Sequence, residues 1–422
     1  APAAKYALTG QGEVHGVVTS GATGSSIDAT ATLKQAAAKL GAEWPAISNF
    51  DGKLRLADGK LAIQPSTFML GASHISLEGC IESFSPLDAT YTVGADTVQL
   101  ADFLKTRPRS DVVNQVSATG TAQGELSSPL VSARARSGNG TLENVAYQNL
   151  DTTAAYKAAR VSMHPMSAEV FGGSISGNVD AAAGAQPRFD LTLTMRGIDL
   201  EQALRSQGLE ASHKIRGLLS GNVALAGAGM NWAAIKPTLR GSGRVVLANG
   251  KLLGVNIVAD AINAVAAAPG VSQLVNVAFM SSHHGLLVDP NTELDAASMT
   301  FVLAGPRVTT HDLYAQSPDY TIRGDGWFDT DKNIDMSGDI QLSLGLKVAI
   351  PVTVIGKIPA VIVLPDVPVL AGRIAMGAIN TPGNVIRGGV NAVGSLVGAG
   401  SSAGSSLPSI PNPLDSLKKL LP

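Results

Sequence analysis

The chain has very little cysteine, aromatic or charged content, and each shortage excludes something. Cys80 is the only cysteine among 422 residues, so no disulfide can form within the chain. Aromatic residues make up 4% and charged residues 15%, with 31 basic side chains against 33 acidic ones and a net charge of −2. A nucleic-acid binder needs a basic excess and aromatic stacking platforms, so that class is excluded. No stretch reaches the roughly 18 to 20 uncharged apolar residues of a membrane-spanning helix. The nearest, Val348 to Leu364, is interrupted by Pro351, Lys357 and Pro359, and its β-branched residues predict a strand pair. The chain opens at Ala1-Pro2-Ala3-Ala4 without a signal peptide, which reads as a processed protein or as part of a longer chain that carried a leader or anchor.

Catalytic and metal patterns are equally thin. Asp329, Asp331, Asn333 and Asp335 alternate like a calcium loop, but Ile334 stands where that loop needs glycine and Ile340 where it needs a bidentate glutamate. A solvated hairpin turn is the expected structure there. His283, His284 and His311, with Asp289 and Asp312, lack the spacing of a metal site, and adjacent histidines on a strand face opposite ways. No serine sits in a G-x-S-x-G elbow, and the glycine-rich tail lacks the Lys-Ser/Thr of a phosphate loop. With no nucleophile, base and orienter together, neither an enzyme nor a cofactor or metal site is expected.

What remains is aliphatic and rich in turns. Hydrophobic residues reach 45% and glycines number 46. Phe189, Leu191, Leu193 and Met195 alternate with Asp190, Thr192, Thr194 and Arg196, the pattern of a strand with one oily and one wet face. Val245 and Leu247 continue it, and Ile340, Leu342 and Leu344 do so again. Asp51-Gly52, Asp58-Gly59 and Asn249-Gly250 are predicted hairpin turns. Short helices are predicted after alternating strands, at VQLADFL, at DLEQAL with Asp199 as cap, and from Asn256, where Ile257, Ala261, Ile262 and Val265 share a face. A further helix is predicted from an Asp28 cap through Leu33, Ala36, Ala37 and Leu40. Glycine pairs such as Gly120/Gly124 and Gly217/Gly221 recur near strand starts and permit bulges and strong coiling. From Arg373 onward glycine, alanine and serine dominate, and LDSLKKLL ends the chain as a short amphipathic helix with Leu414, Leu417, Leu420 and Leu421 on its apolar face. Docking within the fold, or contact with a membrane or partner, would suit that helix.

The segment from Leu239 to Asp366 resembles the C-terminal region of the AsmA-like family of bacterial envelope proteins, relatives of TamB. The likeness rests on GSGRVVLANGKLLGVNIVADAI, on VTTHDLYAQSPDYTIRGDGWFDTDKNIDMSGDIQL, and on IPVTVIGKIPAVIVLPD, whose Pro351, Val352, Val354 and Gly356 match the family's closing strand. QLADFL and DLEQAL look like the same family's repeats, which extends the likeness to about residue 372. The family's usual N-terminal membrane helix is absent, and the proline-rich strand from Ile358 to Leu370 is longer than the family pattern.

The expectation is a mainly β protein: an elongated, coiled antiparallel sheet forming an open taco-like groove, with short amphipathic helices at its edges and ends. Residues 1–235 would be repeated strand-helix groove units, 236–372 an AsmA-like C-terminal β module, and 373–422 a Gly/Ala/Ser/Pro-rich tail. Few aromatics exist to fill a two-sheet core and the helices are too short to cover such a sheet, so its oily face needs another tenant. Lipid acyl chains fit, because each buried CH2 gains about 0.8 kcal/mol without residue-specific contacts. The resemblance implies a periplasmic, membrane-associated envelope protein that moves phospholipid between inner and outer membranes or maintains outer-membrane lipid balance. Phe189, Leu191, Leu193, Met195, Val245, Leu247, Ile340, Leu342 and Leu344 would line the groove, with the helix at Ile257 to Val265 as its cap. The rival reading is a scaffolding subunit of an envelope complex whose sheet is filled by its own side chains and a partner. An adhesin-like solenoid would need more regular repeats.

Overall fold

The computed structural model describes residues 8–21, 24–39, 46–103, 108–184, 186–208, 214–229, 231–267, 288–343, 349–358 and 360–379. The first strands are β1 (Thr9–Gly21), β2 (Gly24–Ala38), β3 (Ile47–Ala57), β4 (Lys60–Leu70), β5 (Ser73–Phe84) and β6 (Leu87–Gln99), followed by helix α1 (Leu100–Phe103). Then come β7 (Val112–Glu125), β8 (Ser128–Leu142), β9 (Val145–Lys157), β10 (Arg160–Val170), β11 (Gly173–Ala182), β12 (Arg188–Asp199) and α2 (Leu200–Ser206). Next are β13 (Ile215–Ala228), α3 (Trp232–Ile235), β14 (Arg240–Leu252), α4 (Ile257–Ala266), β15 (Thr292–Ala304) and β16 (Arg307–Gln316). The last are β17 (Tyr320–Asp329), β18 (Asn333–Leu342), β19 (Ile350–Lys357), β20 (Ala360–Pro365) and α5 (Val367–Ile379).

All twenty strands form one antiparallel sheet in which each pairs with the next along the chain, so the topology is a meander. The first and last strands do not pair, and the sheet stays an open, coiled groove and not a barrel. In a meander alternate turns fall on the same edge. The β3–β4, β9–β10 and β15–β16 turns therefore lie on one rim, and α1, α2, α4 and α5 all follow even-numbered strands at the opposite rim.

Register explains the coiling. Gln35, Asn49, Asn149 and Asn249 have φ between 49° and 52° inside strands β2, β3, β9 and β14, and each sits at a break in the pairing register near the helix-bearing rim. Such bulges bend the strand and keep the apolar side chains on one face beyond the extra residue. At Gly120 the strands approach so closely that a Cβ would lie 1.9 Å from the Ser132 carbonyl oxygen.

Several local expectations are corrected. The predicted helix from Asp28 is strand β2, because Ala29, Ala31 and Leu33 alternate with Asp28, Thr30 and Thr32 and pairing on both sides outweighs alanine's helix preference. Asn249-Gly250 is no hairpin turn: β14 runs straight through it, with Asn249 as a bulge and Gly250 opposite Leu294. Asp51-Gly52 likewise lies inside β3, whereas Asp58-Gly59, at φ 51° and 76°, is the two-residue turn predicted. Val98 and Gln99 belong to β6, leaving only Leu100–Phe103 helical. The proline-rich strand stops at Pro365, and Val367 begins α5, whose Val369 amide donates to Asp366 Oδ1 at 3.1 Å.

Candidate functional site: one apolar face from edge to edge

The register defines the candidate site. Starting on β1 and crossing one strand at a time, the cross-strand partners are Val14, Ala31, Leu54, Ile63, Gly79, Tyr91, Gly120, Ala133, Ala154 and Met163. The same row continues through Val179, Leu191, Leu225, Gly241, Leu303, Val308, Phe328, Ile334, Gly356 and Val361. One residue comes from each of twenty strands, and none is charged. The single polar atom, the Tyr91 hydroxyl, donates to the Ser132 carbonyl at 3.2 Å, and burial pushes its pKa up. Two residues along, a second row runs from Gly16 through Ala29, Leu56, Leu61, Ile81 and Ala89 to Phe189 and Gly227 on the same terms. At about 4.8 Å per strand the apolar face is ~90 Å long.

The neighbouring row, on the other face, is wet. It includes His15, Thr30, Arg55, Thr90, Thr121, Ser132, Asp180 and Asp190. Ion pairs fasten this side: Arg55 to Asp28 at 3.0 Å, and Arg134 and Arg136 to Asp151 at 2.9 and 3.2 Å. The Arg134 guanidinium holds the Asp151 carboxyl below its ordinary pKa.

Cover over the apolar face is uneven. Helix α4 lies on it at the β15–β20 end, where Val258, Ala261, Ile262 and Val265 pack with Tyr320, Ile340, Leu342, Ile350, Val352 and Leu370 from the strands and α5. Burying three branched side chains of α4 contributes roughly 5–8 kcal/mol before entropy. The helix is pinned at its start, since Asn256 Oδ1 accepts from the Ala259 amide at 2.8 Å and Thr292 Oγ1 accepts from the Ile257 amide at 3.1 Å. Arg373 of α5 donates to Asp339 Oδ1 at 2.6 Å and to the Ala349 carbonyl at 3.1 Å. A smaller cluster of Tyr147, Val170 and Ile198, with Ala203 of α2 against it, fills the helix-bearing rim between β7 and β13. Between and before these clusters most of the face is half-exposed, although Ile75, Leu87, Ala95 and Leu303 are buried at 7–9% exposure, and at β1 Val14 is 70% exposed.

The predicted site residues separate accordingly. Phe189, Leu191 and Leu193 on β12, and Val245 and Leu247 on β14, lie on the open part, each half-buried, whereas Met195, expected with them, packs against the rim cluster of Tyr147, Val170 and Ile198. They face neighbours of the same kind: Leu191 lies between Val179 and Leu225, and Val245 opposite Met299. Ile340 and Leu342, expected on the open lining, are instead sealed under α4 and α5 at 0% and 4% exposure. The four α4 positions Ile257, Ala261, Ile262 and Val265 are brought together with them. Leu344, His283, His284 and the terminal Leu414, Leu417, Leu420 and Leu421 lie outside the described residues. At the calcium-like stretch, Asp329 Oδ1 accepts from the Asp331 and Asn333 amides at 2.9 Å each, closing its own hairpin. Asp312 is engaged by Thr300 and Asp289 by Asn291.

Sequence reading named no lining residue in the N-terminal half of the face. Leu54, Leu56, Leu61, Ile63, Leu77 and Ile81 alternate as clearly as β12 does, and that alternation was the available signal. No helix among the described residues is long and apolar enough to cross a membrane. The class defined by fold and site is an open β-groove with one closed end. No family model, curated protein or solved structure matches the chain.

Proposed function

We propose that the groove binds phospholipid and conducts it lengthwise, as a periplasmic, membrane-associated envelope protein serving traffic between inner and outer membranes or the lipid balance of the outer membrane. The observation that carries this reading is the uncharged row crossing all twenty strands while most of it stays uncovered. A sealed core would bury such a row, and a surface with no ligand would break it with charge. Acyl chains would lie along Leu54, Ile63, Val179, Leu191 and Leu225 with headgroups at the lips of the sheet. Sliding needs no particular contact, because every position offers the same aliphatic surface. At the far end, α4 would act as a stop.

Purification without strong detergent, followed by extraction and mass spectrometry, should recover bound phospholipid. Leu191→Asp combined with Leu193→Asp should abolish that lipid while far-UV circular dichroism stays unchanged, since a half-exposed face can hydrate a carboxylate. A lipid-free wild-type protein would favour the scaffolding reading instead.

A further inference from the structure

Four consecutive even-numbered strands begin on the same residue. Arg160 is the first residue of β10, Arg188 of β12, Arg240 of β14 and Arg307 of β16. All four lie on the rim opposite α2, α4 and α5 and are exposed. In register they alternate with alanine. Arg160 and Arg188 both pair with Ala182, and Arg240 and Arg307 both pair with Ala304. Between them β13 presents Ala228 to Arg188 and Ala226 to Arg240. Two strand spacings, about 9.6 Å, separate the backbones of Arg160 and Arg188 and those of Arg240 and Arg307, and a two-residue step of about 7 Å along the strand is added between Arg188 and Arg240, far enough for each to face its own anion.

None of the four makes an ion pair with a described residue; Arg307 instead lies 4.0 Å over the Trp327 ring. On the opposite rim of the same strands, Arg205 and Arg216 share Glu201, Lys251 holds Glu293 and Arg373 holds Asp339, leaving Arg196 and Lys214. The acids nearest the arginine row are largely engaged. Asp180 is held by His164 at 2.8 Å, Asp331 by Lys236 at 2.6 Å, and Asp329 by its own hairpin, so of these acids Asp190 alone has no partner among the described residues. Each arginine lies on the wet face and precedes a residue of the apolar face, Val161, Phe189, Gly241 or Val308, so its stem reaches the groove by passing over the lip at the strand start.

We propose that this row is a ladder of phosphate sites for phospholipid headgroups whose acyl chains lie on the adjoining apolar face, and that it gives the groove a preference for net-anionic lipids. The inference rests on the lipid-groove reading and adds charge selectivity to it. Arginine suits the task because its planar guanidinium grips phosphate bidentately and its long stem can lie over a lip with the charge in water. A ladder of equivalent sites also suits movement, since a headgroup released by one guanidinium meets the next.

The test loads the full chain from vesicles of phosphatidylcholine and phosphatidylglycerol in equal parts, then measures the bound ratio after repurification. With about fivefold per guanidinium engaged, unaltered protein should favour phosphatidylglycerol at least fivefold, less so in high salt. Arg160→Gln, Arg188→Gln, Arg240→Gln and Arg307→Gln together should bring the ratio close to one while total phosphatidylcholine loading is kept. Because Arg307 packs on Trp327, the triple variant without it guards against misfolding and should lose most of the preference. An equal ratio in unaltered protein, or an unchanged preference in the variants, overturns the ladder but leaves the groove reading standing. Failure to load either lipid overturns both.

Discussion

Leu191 and Leu342 lie on the same apolar face, and truncating each to alanine should have very different consequences. Leu342 is 4% exposed beneath α4 and α5, in contact with a cluster that includes Ile340 and Val352. Leu342→Ala removes about three carbon groups at ~0.8 kcal/mol each and leaves a cavity among neighbours fixed by two helices, for a loss of about 3–4 kcal/mol. Leu191 is half-exposed between Val179 and Leu225 and, among the described residues, belongs to neither buried cluster. Leu191→Ala gives up only part of the transfer term and leaves no closed void, so its cost is about 1 kcal/mol or less. Urea titrations followed by circular dichroism and by tryptophan fluorescence, compared at constant slope, would read the ~2–3 kcal/mol gap. Equal losses at the two sites would refute the reasoning. They would mean that the face at β12 is sealed as tightly as the end under α4, and that no open groove exists there.

Further outcomes follow from particular residues. Ala158 and Ala159 form the β9–β10 turn with φ of 47° and 62°, so replacing them by Asn-Gly should stabilise the protein by about 1–2 kcal/mol, seen as a raised thermal midpoint. Gly120→Val should cost at least about 2 kcal/mol, because its Cβ would meet the Ser132 carbonyl at 1.9 Å; a neutral result would show that the strands can separate there. The Asp151 carboxyl is held below its ordinary value of 3.8 by Arg134, so it contributes stability above that pH and loses it as the pH falls through the lowered folded value. Asp151→Asn should therefore lower the thermal midpoint at pH 7, with the difference closing in acid below pH 3.8; a difference that persists there would assign the effect to packing.

Much of the fold was legible because strand alternation is a local signal. Phe189 to Met195 announce a one-sided strand without reference to anything else, and Asp199 and Asn256 announce helix starts because a cap acts on amides three residues away. Where the reading failed, two local rules competed. Alanines in β2 suit a helix in isolation, yet β1 and β3 pair with that stretch on both sides. Asn249-Gly250 suits a tight turn, yet its positive φ is used for a bulge because β13 and β15 continue past it. In both places hydrogen-bonding partners distant in sequence outweighed a preference of the peptide itself.

The sequence by itself determined that this chain is a sheet of one-sided strands, oily on one face and wet on the other, with too few aromatics and helices to close over its oil. Ile340 and Leu342 read there as Leu191 and Leu193 do. Only the tertiary structure decided that α4 lies over the first pair and leaves the second open, and that arginines at residues 160, 188, 240 and 307 stand along one rim. The physical reason is range: alternation and capping act within a few residues, whereas cover and alignment depend on how twenty strands add their registers.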